Sequence, residues 1–269
     1  MAESNVHVGI IGAGLSGLAL ALALHQQSIP CTVYESREEK CLGIGGGLML
    51  FPNGLKVMDK LCIHKLLKNQ GFNFDRIYIQ DGTSMQVTET VEYGSLDRYG
   101  FHALRIYRSI LLDHLLAAVR EKSIPVHFNR HFDHIVSETE EGVTWQFRNG
   151  STASASILIG ADGIHSKLRS YLAPNLEPTF SGMAAVIAAV PYAQLGLPEP
   201  TGASLNDPSS PNPLPTCIVV PPYGGFVMAP QGDYGGDVMI TVQRRIDEPS
   251  SGRWDSVRAF PAHCPECRA

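Results

Sequence analysis

Between residues 6 and 11 the chain is apolar at almost every position, which predicts a strand buried on both faces, as in a parallel sheet. The glycine turn that follows leads into an apolar run over 15–27 that predicts a helix, and "CTVYESR" after Pro30 predicts a second strand ending near Glu35. Together these make a βαβ unit. The glycine-rich "LGIGGGLMLFPNG" is assigned no element, and a helix is expected over 54–67. Short alternating runs such as "RIYIQ" and "MQVTETVEY" predict strands within 72–102. "YRSILLDHLLAAVREK" has helical period, with Ile110, Leu111, Leu115, Ala118 and Val119 expected on one buried face. A β-meander follows, with a turn at Asn149-Gly150, and returns to a core strand over 155–159. Beyond about Pro174 the chain turns to Pro/Gly/Ser-rich loops between short strands, among them "PTCIVV", "GGFVMAP" and "DVMITVQR". The run "GMAAVIAAVPYA" is too short for a membrane span and is expected to be a buried strand.

Composition narrows the function classes. Hydrophobic residues at 44% and charged residues at 17% describe a globular protein of 269 residues, long enough for one large domain or two small ones. A net charge of −5 gives the whole molecule no attraction to nucleic acid or anionic lipid. The opening "MAESNVHVGI" lacks the basic segment of a secretory signal, and the six cysteines are scattered rather than spaced as a disulfide framework. A reducing, cytoplasmic setting is therefore expected.

The chemistry starts at "GAGLSG", where Gly12, Gly14 and Gly17 fit a dinucleotide-binding turn. Gly12 allows the sharp exit from the strand, Gly14 leaves room for a pyrophosphate, and Gly17 lets the helix pack closely. Ala13, Leu15 and Ser16 complete the candidate phosphate loop, where helix N–H groups and the positive dipole end meet the phosphates. Glu35, flanked by Ser36 and Arg37, ends the second strand where a ribose would offer its hydroxyls. The glycines alone do not separate NAD from FAD, although a carboxylate there disfavours a 2′-phosphate. A ligand-free strand–helix turn is the alternative.

Further motifs bear on that choice. "SILIGADGIHSKLR" resembles the second signature of the FAD-dependent group A monooxygenases, the aromatic and salicylate-hydroxylase-like family, with Ala161, Asp162, Gly163, Ser166 and Arg169 at its key positions. "GIGGGLMLFPNGLKVMDKL" is similar to the family segment beyond the ribose acid, and "YRSILLDHLL" to the helix whose leading arginine, here Arg108, lies near the flavin pyrophosphate. Physical reasoning bears on each. A cation at a helix start opposes the dipole, so Arg108 calls for a nearby diphosphate or for solvent. Asp162-Gly163 suits a simple turn or a ligand site at a strand's carboxyl end. Gly46 and Gly47 suit either a flexible loop or a backbone passing close to a flat ring.

The resemblance implies an α/β fold: a Rossmann-like FAD-binding domain with a parallel sheet and inserted β-meander, plus a second, mostly antiparallel β-sheet domain. The expected division is 1–72 with 101–173 for FAD, 73–100 with 174–250 facing substrate, and an irregular tail over 251–269. It also implies that NADPH or NADH reduces the flavin, which takes up O₂ as a C4a-hydroperoxide. The distal oxygen then hydroxylates or epoxidises an aromatic, polyketide-like or terpenoid small molecule. In style the chain resembles fungal secondary-metabolite members. No metal is expected: His127, His131 and His134 span a strand and a turn, and "HCPEC" lacks a fourth zinc ligand. The chain departs from the family in two places. Ile187 stands where fungal members carry a substrate-activating arginine, which leaves Tyr223 as the candidate substrate-facing residue or as a core tyrosine. The family's distal Gly-Asp motif is not found, so a truncated chain is expected. The alternatives are a non-catalytic remnant binding FAD or ADP, and an NAD-dependent dehydrogenase.

Overall fold

In the computed structural model, residues 6–39, 46–197, 205–210, 212–222, 224–232 and 236–247 are described. In chain order the elements begin β1 (Val8–Ile11), α1 (Leu15–Gln26), β2 (Cys31–Tyr34), β3 (Gly47–Leu50), α2 (Pro52–Lys60), α3 (His64–Leu67), β4 (Phe72–Phe74) and β5 (Arg76–Asp81). They continue β6 (Val87–Glu92), α4 (Leu96–Tyr99), β7 (Ala103–Tyr107), α5 (Arg108–Glu121), β8 (Val126–His127), β9 (Phe132–Thr139), β10 (Gly142–Phe147) and β11 (Thr152–Ala155). The series closes with β12 (Ile157–Gly160), α6 (Lys167–Leu172), β13 (Met183–Pro191), β14 (Thr216–Val220), β15 (Gly224–Gln231) and β16 (Asp237–Arg245). The α/β fold is as expected, and the chain divides into two compact units. Unit 1 is Met1–Gly46, Lys56–Leu67 and Tyr107–Pro178; unit 2 is Gly47–Leu55, Lys68–Ile106 and Thr179–Ala269.

Unit 1 is built on a parallel sheet in the order β12-β1-β2-β8. Ile10 lies between Ile159 and Val33 in that sheet and is fully buried. Both faces of β1 are covered, which explains its unbroken apolar pattern. On one face the antiparallel meander β11-β10-β9 packs Trp145 and Phe147 against Ile11, Tyr34 and Leu158. Gly9 makes this possible, because a Cβ there would come within 2.7 Å of the Trp145 ring. The strand pattern alone could not assign that glycine a purpose.

Helices α1, α2 and α5 end alike. A non-glycine residue takes the left-handed conformation (Ser28, Cys62 or Ser123), and an isoleucine follows it. The N–H groups of Ile29, Ile63 and Ile124 then return to Leu24, Met58 and Val119. This is the Schellman closure, formed here without glycine. It splits the single helix expected over 54–67 into α2 and α3, because Cys62 leaves the helix at φ 62°. In α5 the buried set is Leu111, Leu112, Leu115, Leu116 and Val119; Ile110 and Ala118 are only half-buried, so the buried face is rotated from the expected one.

Unit 2 holds a six-stranded sheet, β13-β16-β15-β14-β5-β6, and a three-stranded sheet, β3-β7-β4. All named pairs in the larger sheet are antiparallel except β14 with β5. Its core gathers Phe72, Phe74, Leu214, Ile218, Met228 and Val238. Three corrections follow. Strand β3 lies in the glycine-rich segment where the sequence pattern predicts no element, since its pairing with β7 overrides a poor local propensity. The run expected to be a buried strand is a strand, β13, but Val186 and Ile187 are 60% and 56% exposed. In unit 1, likewise, the expected core strand is β12, a sheet edge whose Ile157 is 49% exposed.

Candidate functional site: a cationic cleft at the glycine turn

At the carboxyl ends of β1, β2 and β12 unit 1 has a cleft of about 380 Å³. Gly12, Gly14, Glu35, Arg108, Asp162 and Gly163 all line it, so residues far apart in the chain converge on one cleft. Gly12 turns the chain out of β1 at φ 109°, a conformation that favours glycine, and a Cβ there would strike the Ala161 carbonyl. A Cβ on Gly17 would collide with the Gly12 carbonyl, so its absence lets α1 start directly against the turn. Gly14 is the N-cap of α1 and meets nothing within 4 Å of where its Cβ would be. No side chain caps this helix, and its first turn carries no acid, which leaves its positive end to the cleft.

Glu35 is almost fully buried beside the turn. Its Oε2 accepts from the Ala13 N–H at 2.8 Å. Oε1 accepts from the Arg37 N–H at 2.9 Å, the Arg37 Nε at 3.2 Å and the Ser36 hydroxyl at 3.1 Å. Burial alone would raise its pKa, but the Arg37 and Ala13 N–H groups and the Arg37 charge outweigh burial and hold it below its ordinary value. A carboxylate has about four acceptor positions. Oε1 is saturated, and Oε2 keeps one position for an incoming hydroxyl.

Asp162 Oδ2 accepts from the Lys167 N–H at 3.0 Å, while Oδ1 is buried with no donor. Arg169 Nη2 donates to the Ile164 carbonyl at 2.6 Å, leaving Nε buried and unpaired. Gly163 takes φ 81°, and Ser166 caps α6 by accepting from the Arg169 N–H. Arg108 opens α5, its own N–H bonded to the Gly46 carbonyl at 3.0 Å.

Sequence reading missed Arg130, Arg148 and Lys167, which also line the cleft. The loop before β9 brings Arg130 there, its N–H bonded to the Glu35 carbonyl at 2.7 Å. Arg130 lies over the Phe147 ring and donates to the Ser151 hydroxyl. Among the described residues neither Arg130 nor Arg148 has a carboxylate partner, whereas Lys167 pairs with Asp133 at 2.9 Å. An acidic chain thus concentrates cations at one place, which suits a polyanionic ligand.

A family model described as "FAD binding domain" matches residues 5–225. The chain belongs to this FAD-binding family. Among curated relatives, the 3-amino-4-hydroxybenzoate 2-monooxygenase PtmB3 of Streptomyces platensis is 32% identical over 187 residues, covering 68% of this chain and 45% of that protein. The dual trans-enoyl reductase/FAD-dependent monooxygenase tazHJ of Aspergillus terreus is 34% identical over 219 residues, covering 72% and 29%. The crystal structure of Klebsiella pneumoniae HpxO with FAD and uric acid superposes with a TM-score of 0.74 at 25% identity, covering 95% of this chain and 60% of that one. The chain therefore spans less than half the length of both curated relatives.

The cleft of this FAD-binding unit fits the ADP part of FAD on its own geometry. It combines an open glycine cradle, an uncapped helix start, a spare acceptor on Glu35, an orphaned oxygen on Asp162 and a surplus of cations. Other candidates lie elsewhere. Ala13, Leu15, Ser16 and Gly17 shape the turn without lining the cleft; Ser36 and Arg37 do line it. Gly47 belongs to unit 2, with its N–H toward Met239 Sδ at 3.4 Å. Tyr223 and the "HCPEC" segment lie outside the described residues. His127 stacks on Tyr34, His131 lines the cleft and His134 pairs with Asp133. Among the described residues no group of three or more His, Cys, Asp or Glu is placed to hold a metal, and no helix is long and apolar enough to cross a membrane.

Proposed function

We propose that this chain carries the FAD-binding part of a flavoprotein monooxygenase that uses NADPH or NADH and O₂ to hydroxylate an electron-rich aromatic small molecule. The carrying observation is the convergence of Gly14, Glu35, Arg108 and Asp162 on one cationic cleft. FAD, when bound, supplies the redox chemistry and the activation of oxygen. The chain's residues hold and orient it. The α1 N-terminus and Arg108 take the diphosphate, and Glu35 Oε2 accepts a ribose hydroxyl. The aminohydroxybenzoate and urate chemistry named for the relatives supports an aromatic, acidic substrate class. The Aspergillus relative supports a fungal setting in secondary metabolism, and the free thiols Cys31, Cys62 and Cys217 support a reducing cytoplasm.

The test is direct. Protein purified without added cofactor, or refolded with FAD, should carry flavin absorbance through gel filtration and then oxidise NADPH or NADH when a suitable phenol is added. A purified chain that takes up no FAD overturns the proposal.

A further inference from the structure

We propose that Arg105 in unit 2 is an anion-binding residue, whose Nη1 edge receives the carboxylate or phenolate of a small aromatic acid. For the word aromatic this rests on the function proposed above; for the anion it rests on the structure of unit 2 alone.

Arg105 stands on β7 against the side chains of β15 and β16. Its Nη2 is 3.2 Å from Met239 Sδ. With the Gln231 amide turned so that its oxygen faces the guanidinium, that oxygen accepts from Nε at 2.5 Å and from Nη2 at 3.1 Å. Gln231 is fully buried and Met239 nearly so. Gly47 on β3 completes the arrangement, because a Cβ there would lie 2.5 Å from the Gln231 amide oxygen atom position. A glycine, a glutamine and a methionine from three strands thus hold one guanidinium in place.

Every one of these partners is neutral. Among the described residues no carboxylate pairs with Arg105. Arg98 and Arg120, by contrast, are exposed and paired with Glu92 and Glu39, where an ion pair contributes little. Burial lowers the Arg105 pKa and nothing offsets it, yet a guanidinium keeps its proton in proteins. The fold therefore carries a largely desolvated cation without a counter-charge, which is costly unless an anion supplies one. Nη1 makes no hydrogen bond among the described residues, and it is not one of the sealed polar atoms that lack a partner. It is thus open to a ligand. A planar fork with Nε and one side of Nη2 already fixed leaves a defined edge for a planar anion.

The experiment titrates the full chain by calorimetry with benzoate and with benzamide, which match in shape and differ in charge. Wild type should prefer benzoate by roughly tenfold or more, as a charge-assisted contact implies. Arg105→Met should erase the preference, and Arg105→Lys should keep part of it. Gln231→Glu places a carboxylate beside the guanidinium, and should erase the preference while holding or raising Tm. That variant carries the test if Arg105→Met does not fold. Equal affinities in wild type, no benzoate binding, or a preference surviving in Arg105→Met or Gln231→Glu would each overturn the proposal. Flavin absorbance in the same samples separates the two readings. A chain that prefers benzoate without binding FAD sinks the monooxygenase proposal alone, and one that binds FAD without the preference sinks this one alone.

Discussion

Strands β1 and β13 are both runs of small and branched apolar residues, yet one is buried along its whole length and the other is exposed at most positions. The difference lies in their surroundings. β1 has a paired strand on each side, and the meander packs its aromatic residues against the face that carries Gly9 and Ile11. β13 pairs only with β16 and sits at the edge of its sheet. An apolar run therefore predicts a strand well and predicts its burial poorly, because burial depends on elements distant in the chain. An edge this long and uncharged is also a surface prone to unwanted strand pairing.

The sharpest way to break the comparison is to place the same polar residue in both strands. Ile10→Ser, at a fully buried site, should cost about 3–5 kcal/mol or prevent folding, as read by urea unfolding. Ile187→Ser, treated last below, is its counterpart.

Next in size is Glu35, a buried polar residue within the covered unit. Glu35→Gln should cost about 1–3 kcal/mol at pH 7, because an acceptor of four hydrogen bonds loses its charge and half its acceptor capacity. Its folded pKa lies below the ordinary value of 4.5. The stability from its ionised form is thus complete above 4.5 and declines as pH falls toward the folded value, since the unfolded chain takes the proton first. Wild type should lose stability through that window faster than Glu35→Gln. Parallel melting curves from pH 7 to pH 3 would reveal no such difference if the carboxylate were unimportant.

A smaller effect, of opposite sign, is expected at a helix end. Ser123 closes α5 in the left-handed conformation at φ 55°. Ser123→Gly should remove that strain and stabilise by about 0.5 kcal/mol after the added freedom of the unfolded chain is deducted. A fall in Tm would count against the Schellman account of these helix ends. The smallest effect belongs to Ile187→Ser, within about 0.5 kcal/mol because the residue already faces solvent. A cost near that of Ile10→Ser would erase the contrast between the two strands.

Much of the candidate site was legible in the sequence because its chemistry is local. Gly12 is demanded by its own positive φ and Gly17 by a collision with the Gly12 carbonyl inside the turn, so their spacing is a direct record of local geometry. Glu35 follows from the length of one βαβ unit. Arg130 and Arg148 carried no such record, since a loop and a hairpin bring them to the cleft and no fixed spacing announces them. Gly9 belongs with them: its reason is Trp145, far away in the chain.

By itself, then, the sequence determined the glycine turn, the acid beyond it, the α/β class and the presence of most strands and helices, because each follows from interactions between near neighbours. Only the tertiary structure decided which apolar runs are covered, which cations share the cleft, and that Arg105 stands among neutral partners. Those outcomes depend on contacts between distant segments, where a residue's charge or apolarity is matched or left unmatched by whatever the fold sets against it.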